Sequence, residues 1–524
     1  MKPFFKRLGI SFFLLYPVLT LAVLMGTLDF SLKLIVKESL FGIAILMVLL
    51  ILACRILSKT GKKTAFFLLL PFYGILFLKI FTVSTFFNFP GNAVLYTVFE
   101  TNFAESSDFL HSYIKWYALL LPVAYLVLLY MIPLSEFRFR NNGKVLFICC
   151  LCAAIIIRFY ERSLVITVCE TYADYKSFSN GVARDITKQE SAYFSNVTNT
   201  DNEAVYVVII GESTNRRNMR HYGYYRNTNP YTEKIKDELH LFSNVVSPHT
   251  QTVFSLNKIL SMADFSHPDQ YRLGTVLQLA NGAGFETYWL SNQNPIGAYE
   301  SLVSLYAKAS KNTFYTWGTY DHSDRYDEVL LPKFREILKQ KPAKKMIFLH
   351  LLGTHISYDK RYPGAFRYFS GTPQTRFPSH EAFQMINEYD NAVRYNDSIV
   401  NEVINSVRSL KKNSYVMYFS DHGEEVFHSL DYFGHHEDIA TDAMFEIPFI
   451  VWTSETYKEK STIDFTHQLD RKYNLEDFIY SFAELSRIDF DEFKPSRSIF
   501  NTGFVPKKRL ILNGIDYDER KKTE

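Results

Sequence analysis

Val205-Tyr206-Val207-Val208-Ile209-Ile210 runs without a break into Gly211-Glu212-Ser213-Thr214. Six apolar or aromatic residues in succession describe a strand buried on both faces. The carboxylate and two hydroxyls that follow put chemistry at its carboxyl end. The design recurs: residues 285–290 lead into Ser291-Asn292-Gln293-Asn294, residues 346–349 into the segment from His350 to His355, and residues 415–419 into Ser420-Asp421-His422-Gly423-Glu424. Residues 448–452 give a fifth apolar run, and residues 241–246 a short one before a helix expected near 254–262. This predicts an α/β domain over residues 204–524 with a largely parallel central sheet. The carboxyl ends of such strands line one crevice, so the polar clusters are expected to converge there.

Upstream the pattern changes. The 48% hydrophobic content is concentrated before about residue 160, where five stretches are apolar enough to read as spans: 9–27, 39–57, 64–85, 116–134 and 145–160. The first has no small-x-small cleavage site and is read as a retained anchor. Lys2, Lys6 and Arg7, then Arg55, Lys59, Lys62 and Lys63, then Arg138, Arg140 and Lys144 mark three cytoplasmic segments. An odd number of spans then puts everything after Arg158 outside. Residues 1–160 are thus expected to form a five-helix membrane domain with an outward loop at 86–114, and residues 161–203 a linker with bridging helices.

A formal net charge of +3 and the lack of a long basic block in the soluble half exclude nucleic acid as a partner. All five cysteines precede residue 204. The soluble half therefore has neither a disulfide framework nor a thiolate metal site.

A helix cap explains a single Asp or Asn after a strand, but capping does not call for histidines. Glu212, Asp421 and His422 supply two carboxylates and one imidazole, a set suited to Zn²⁺ or Mn²⁺ with one position open. Thr250 and Thr252 stand where helix N-terminal amides attract an anion. Bound to a divalent cation, the Thr252 hydroxyl is acidic enough to attack phosphorus or sulfur. His350, His355, His435 and His436 are candidates for phosphate binding, proton delivery or a second metal, whereas His380 and His428 read as ordinary polar residues. Asn292 and Gln293 line the same crevice as candidate substrate contacts.

These residues resemble the bacterial phosphoethanolamine transferases of the alkaline phosphatase and sulfatase superfamily. The resemblance rests on residues 207–214 (VVIIGEST), 223–230 (GYYRNTNP), 249–256 (HTQTVFSL), 420–425 (SDHGEE) and 447–452 (IPFIVW), in that order after five spans. It implies an alkaline phosphatase-like, sulfatase-like catalytic domain in the periplasm, anchored in a Gram-negative inner membrane, with the protein a monomer. It implies Thr252 as nucleophile, with Glu212, Asp421 and His422 joining it around one or two zinc ions. Thr250, His355 and His435 (or His436) would hold the phosphoryl group or a second zinc, and Thr101 and Glu105 would hold the lipid donor. The implied reaction moves phosphoethanolamine from phosphatidylethanolamine to a surface acceptor: lipopolysaccharide core, lipid A, or another periplasmic glycan or protein. Lipid A-modifying members carry cysteines around the nucleophile segment where this chain has Pro248 and Lys258, which points to the cysteine-poor branch that modifies core sugars or other surface acceptors. Thr97 stands where those members usually carry Asn. Phosphoglycerol transfer of the lipoteichoic acid synthase type, and a non-catalytic glycan-binding protein anchored by the spans, are the alternatives.

Overall fold

The computed structural model describes the chain apart from residues 1, 61, 102–105, 108–112, 115–119, 132–140, 296–301, 317–325, 342 and 521–524. It divides into two compact units, residues 1–98 with 109–175, and residues 99–108 with 176–524.

The first unit is helical. Helices α1 (Lys2–Thr27), α2 (Leu32–Thr60) and α3 (Lys62–Phe86) are long and apolar enough to cross a bilayer. Leu14, Leu21, Met25, Leu50, Leu69 and Tyr73 share a buried seam among them. Where polar groups enter that seam they are paired: the Tyr73 hydroxyl donates to the Leu14 carbonyl at 2.8 Å, and Lys79 Nζ meets Glu38 Oε1 at 2.5 Å. The helix α4 (Asn92–Glu100) follows. The fourth expected span is represented by α5 (Leu120–Met131), with 115–119 and 132–134 outside the described residues, and the fifth by α6 (Asn142–Arg158). At 17 residues, α6 reaches about 26 Å, short of the roughly 30 Å hydrocarbon core. Three of the described helices therefore meet the requirement, against five expected. Helix α7 (Leu164–Asp185) carries the chain on toward the second unit.

The second unit is built on a seven-stranded sheet. In chain order its strands are β1 (Ala204–Gly211), β2 (Leu239–Leu241), β3 (Glu286–Ser291), β4 (Asn312–Tyr315), β5 (Lys344–His350), β6 (Ser414–Ser420) and β7 (Phe449–Thr453). They lie in the order β2-β7-β6-β1-β5-β3-β4. All eight residues of β1 are buried, as its unbroken apolar run requires. The pairings among β6, β1, β5, β3 and β4 are parallel. Their register sets Gly211 opposite Ser420, Ile210 opposite His350, and His350 opposite Ser291. Three strand ends thus finish level with the glycine that precedes Glu212, and this brings the polar clusters together.

The sheet is mixed: four of its six pairings are parallel, and β7 pairs antiparallel with both β6 and β2. The chain leaves β6 at the carboxyl edge and forms the loop 421–448 there, with short turns and a two-residue ladder but no crossover helix. It must then re-enter from the same edge, which makes β7 run backwards. An apolar run looks the same in either direction, so sequence could not separate the cases. The short strand expected at 241–246 is split into β2 and the residues Val245–Val246. Helix α8 (Thr252–Ile259) starts two residues earlier than expected, and α9 (His380–Arg408), capped by the Ser379 hydroxyl, packs against β6.

Candidate active site

Glu212 leaves the end of β1 on a sharp elbow: Ser213 has a left-handed φ of +58°, a conformation that costs a non-glycine residue about 1 kcal/mol or more. Three side chains hold that elbow. The Tyr389 hydroxyl, on α9, donates to the Ser213 carbonyl at 2.8 Å and accepts from the Asn215 amide at 2.9 Å. The Thr354 hydroxyl also meets the Ser213 carbonyl at 2.8 Å, and the Ser420 hydroxyl accepts from the Thr214 amide at 2.8 Å. Gly353 backs against the same turn. A Cβ there would lie 2.7 Å from both the nitrogen and the carbonyl oxygen of Glu212, and its φ of +55° is also left-handed.

The Glu212 carboxylate is buried and accepts from the Ser213 hydroxyl at 2.9 Å and the Gln293 amide at 3.2 Å. Across from it His422 Nε2 lies 3.1 Å from Glu212 Oε1 and 3.5 Å from Asp421 Oδ2. Thr252, the first residue of α8, places Oγ1 at 3.1 Å and 3.3 Å from the two Glu212 oxygens and 3.4 Å from His422 Nε2. One ligand atom each from Glu212, Asp421 and His422 falls within 4.8 Å of the others. Of the predicted site residues, these four are gathered as expected.

Two observations fit this set to a divalent cation. Asp421 Oδ2 is fully buried with no hydrogen-bond partner, a costly state for a carboxylate oxygen unless a cation meets it. His422 Nδ1 donates to the Gly423 carbonyl at 2.9 Å, so Nε2 is the nitrogen presented to the cluster. Burial opposes charge on His422, yet Asp421 and then Glu212 push it up to about 10. A proton on Nε2 occupies the place a metal ion would take. Burial likewise works against Glu212, but the His422 charge holds its carboxyl well below the usual range, while burial and the Glu212 charge raise Asp421.

A second group, His422, Glu424 and His435, adjoins the first. The Glu424 carboxylate accepts from the Tyr358 hydroxyl and lies 2.6 Å from His435 Nδ1, and the His435 ring sits 4.2 Å from that of His422. Burial pushes Glu424 up to about 8, and burial with the His422 charge brings His435 down to about 3. Glu424 lies three residues beyond Asp421 in a segment whose first two members drew attention, yet it was not among the expected site residues. Its neighbour Tyr358 has no sequence signal at all.

The other predicted residues divide. The His355 ring centroid lies 6.3 Å from that of His435, and burial lowers His355 to about 4. Thr250 Oγ1, two residues before Thr252, is buried and unpartnered. Gln293 holds Glu212 and the Leu351 carbonyl. Both ends of the Asn292 amide are engaged, with Asp327 and Thr316. His350 packs beside Trp289 with Nδ1 3.2 Å from the Ser291 hydroxyl. His436 Nδ1 accepts from the Asp438 amide and so caps a turn, which favours His435 as the site histidine. Thr101 is half-buried, and Glu105 lies outside the described residues.

Residues 204–488 match the sulfatase family. Over 470 residues, 81% of each chain, the protein is 31% identical to phosphoethanolamine transferase EptC of Escherichia coli K12. The chain belongs to the phosphoethanolamine transferase family. It is 34% identical to phosphoethanolamine transferase CptA of Salmonella typhimurium over 60% of this chain and 57% of that one. The periplasmic domain of E. coli EptC, solved in complex with zinc, superimposes with a TM-score of 0.59 at 33% identity, over 62% of this chain and 96% of that domain. The integral membrane protein lipooligosaccharide phosphoethanolamine transferase A (EptA) of Neisseria meningitidis shares the fold over 95% of this chain and 98% of its own, with a TM-score of 0.68 at 20% identity.

Proposed function

We propose that this protein transfers phosphoethanolamine from phosphatidylethanolamine to a lipopolysaccharide core sugar or another surface acceptor, through a covalent intermediate on Thr252. The observation that carries this reading is the placement of Thr252 Oγ1 within 3.4 Å of both Glu212 and His422, at the first residue of α8. Five spans, with α5 and α6 completing the set, would hold the catalytic unit on the periplasmic side of the inner membrane and bring the lipid donor within reach. The protein would act as a monomer.

Glu212, Asp421, His422 and Thr252 would hold zinc, or manganese in its place; the ion supplies positive charge that favours the Thr252 alkoxide and disperses charge on the transferred phosphoryl group. The remaining work falls to side chains. Thr252 Oγ1 forms a bond to phosphorus as the bond to the diacylglycerol oxygen breaks, and the proton that Thr252 gives up ends on that leaving oxygen. His355 and His435, neutral imidazoles beside the cluster, would relay it. Thr250, whose buried hydroxyl has no protein partner, donates to one of those oxygens. An acceptor hydroxyl then attacks phosphorus and returns Thr252 to its starting state, giving up its proton to the same histidines.

Labelled phosphatidylethanolamine and phosphatidylglycerol offered to the purified protein test the donor. Label transferred from the first supports the reading, and transfer from the second alone replaces it with phosphoglycerol transfer. Mass spectrometry of surface glycolipids from cells with and without the protein identifies the acceptor.

A further inference from the structure

The segment that carries Thr252 also holds two buried ionisable side chains that the transfer does not use. Lys258 lies six residues along α8 from Thr252, is 8% exposed, and brings Nζ within 3.0 Å of His249 Nε2. His249 in turn sets Nδ1 2.6 Å from Glu437 Oε1. An ammonium offers donors only, so Nε2 accepts, the imidazole is neutral, and its proton sits on Nδ1, donated to the Glu437 carboxylate. The ring of Phe265 covers the junction, 4.5 Å from Lys258 Nζ and 5.3 Å from the His249 ring.

A buried lysine and carboxylate contribute little net stability compared with apolar side chains of the same volume. What the chain of bonds does instead is geometric. It joins segments 188 residues apart, the nucleophile segment 249–258 and the turn at Glu437. Glu437 follows His435-His436 directly, and the His435 ring sits 4.2 Å from that of His422. The nucleophile segment is also fixed internally, with the Ser255 hydroxyl donating to the His249 carbonyl at 3.0 Å. A shift of His249 is therefore passed to the first turn of α8.

We infer that Lys258, His249 and Glu437 are positioning residues that set the spacing between the Thr252 hydroxyl and the His435 loop, and with it the alignment of nucleophile and phosphoryl group. This rests on the reading of Thr252 as the nucleophile.

The test uses the full-length enzyme in detergent with phosphatidylethanolamine, reading the rate of adduct formation on Thr252, kcat, KM for the donor, and zinc per protein. His249→Leu and Lys258→Met are each expected to lower kcat about 10- to 100-fold, the effect of a misplacement on the order of 1 Å, with KM and zinc content unchanged. His249→Gln restores most of kcat, since its amide offers an acceptor to Lys258 and a donor to Glu437. The double variant His249→Leu with Lys258→Met is no slower than His249→Leu, because either change breaks the same chain. Zinc lost in step with kcat, His249→Gln as slow as His249→Leu, or multiplicative effects in the double variant each overturn the inference. A wild-type enzyme that forms no adduct on Thr252 removes the reading of the nucleophile itself, whereas a competent wild type matched by His249→Leu removes the inference alone.

Discussion

Replacing Gln293 with leucine shortens the side chain by one atom and removes two hydrogen bonds at once, to Glu212 Oε2 at 3.2 Å and to the Leu351 carbonyl at 2.9 Å. The Leu351 carbonyl would then lose its side-chain donor, a stability cost of about 1–3 kcal/mol if it is left unpaired. Glu212 keeps the Ser213 hydroxyl on Oε1 but loses the amide that orients Oε2. Partners that orient a metal-ligating carboxylate typically account for 10- to 100-fold in metal affinity, equivalent to about 1.4–2.7 kcal/mol. That range matches the roughly 1.5–3 kcal/mol of a hydrogen bond to a charged group, estimated independently. Zinc titrated against a competing chelator, on full-length wild type and Gln293→Leu, reads the difference directly. Unchanged zinc affinity in a folded variant would refute the claim that Gln293 orients the metal carboxylate, and would return it to the substrate-contact role its position first suggested.

Gly353→Ala should lower stability by about 2–4 kcal/mol, combining the left-handed φ with a Cβ pressed against the Glu212 backbone; urea unfolding measures it, and a variant as stable as wild type contradicts the close approach at 2.7 Å. The half-buried imidazole of His428 bonds Asn218 Oδ1 at 2.7 Å and is lowered by burial to about 4, so the folded state disfavours its protonated form. Its stabilising contribution is fully present above the unfolded value near pH 6.5 and is lost as pH falls from there through about 4, by at most about 3 kcal/mol. Thermal unfolding of wild type and His428→Gln between those limits should show a shallower decline in the variant; parallel profiles would count against it.

The sequence was most legible where one physical demand dominated. The central residues of strands β1, β5 and β6 had to be apolar because both faces are covered, and the strand ends come together because the sheet register aligns them. Glu212, Asp421 and His422 followed from that, since two carboxylates and an imidazole at neighbouring strand ends have few structural uses, while Thr252 was read from the start of a helix beside them. The direction of β7 was hidden because it depends on how the loop 421–448 returns, which no local pattern encodes. The roles of other side chains were not legible for a related reason. Tertiary contacts with Asp327, Ser291 and Asp438 occupy polar atoms on Asn292, His350 and His436. Glu424 and Tyr358 were missed because their contribution is to orient His435, a task visible only once both are seen against it. The spans were read from hydropathy alone, which measures apolar length but not where a helix ends: α6 stops at Arg158.

The central claim is that Thr252 carries the transferred group. Intact-mass analysis of the purified full-length protein after incubation with phosphatidylethanolamine, without acceptor, tests it most directly. The expected result is a single phosphoethanolamine adduct on wild type, mapped to Thr252 and absent from Thr252→Ala. An adduct that persists in Thr252→Ala, or one mapped to another residue, would contradict it.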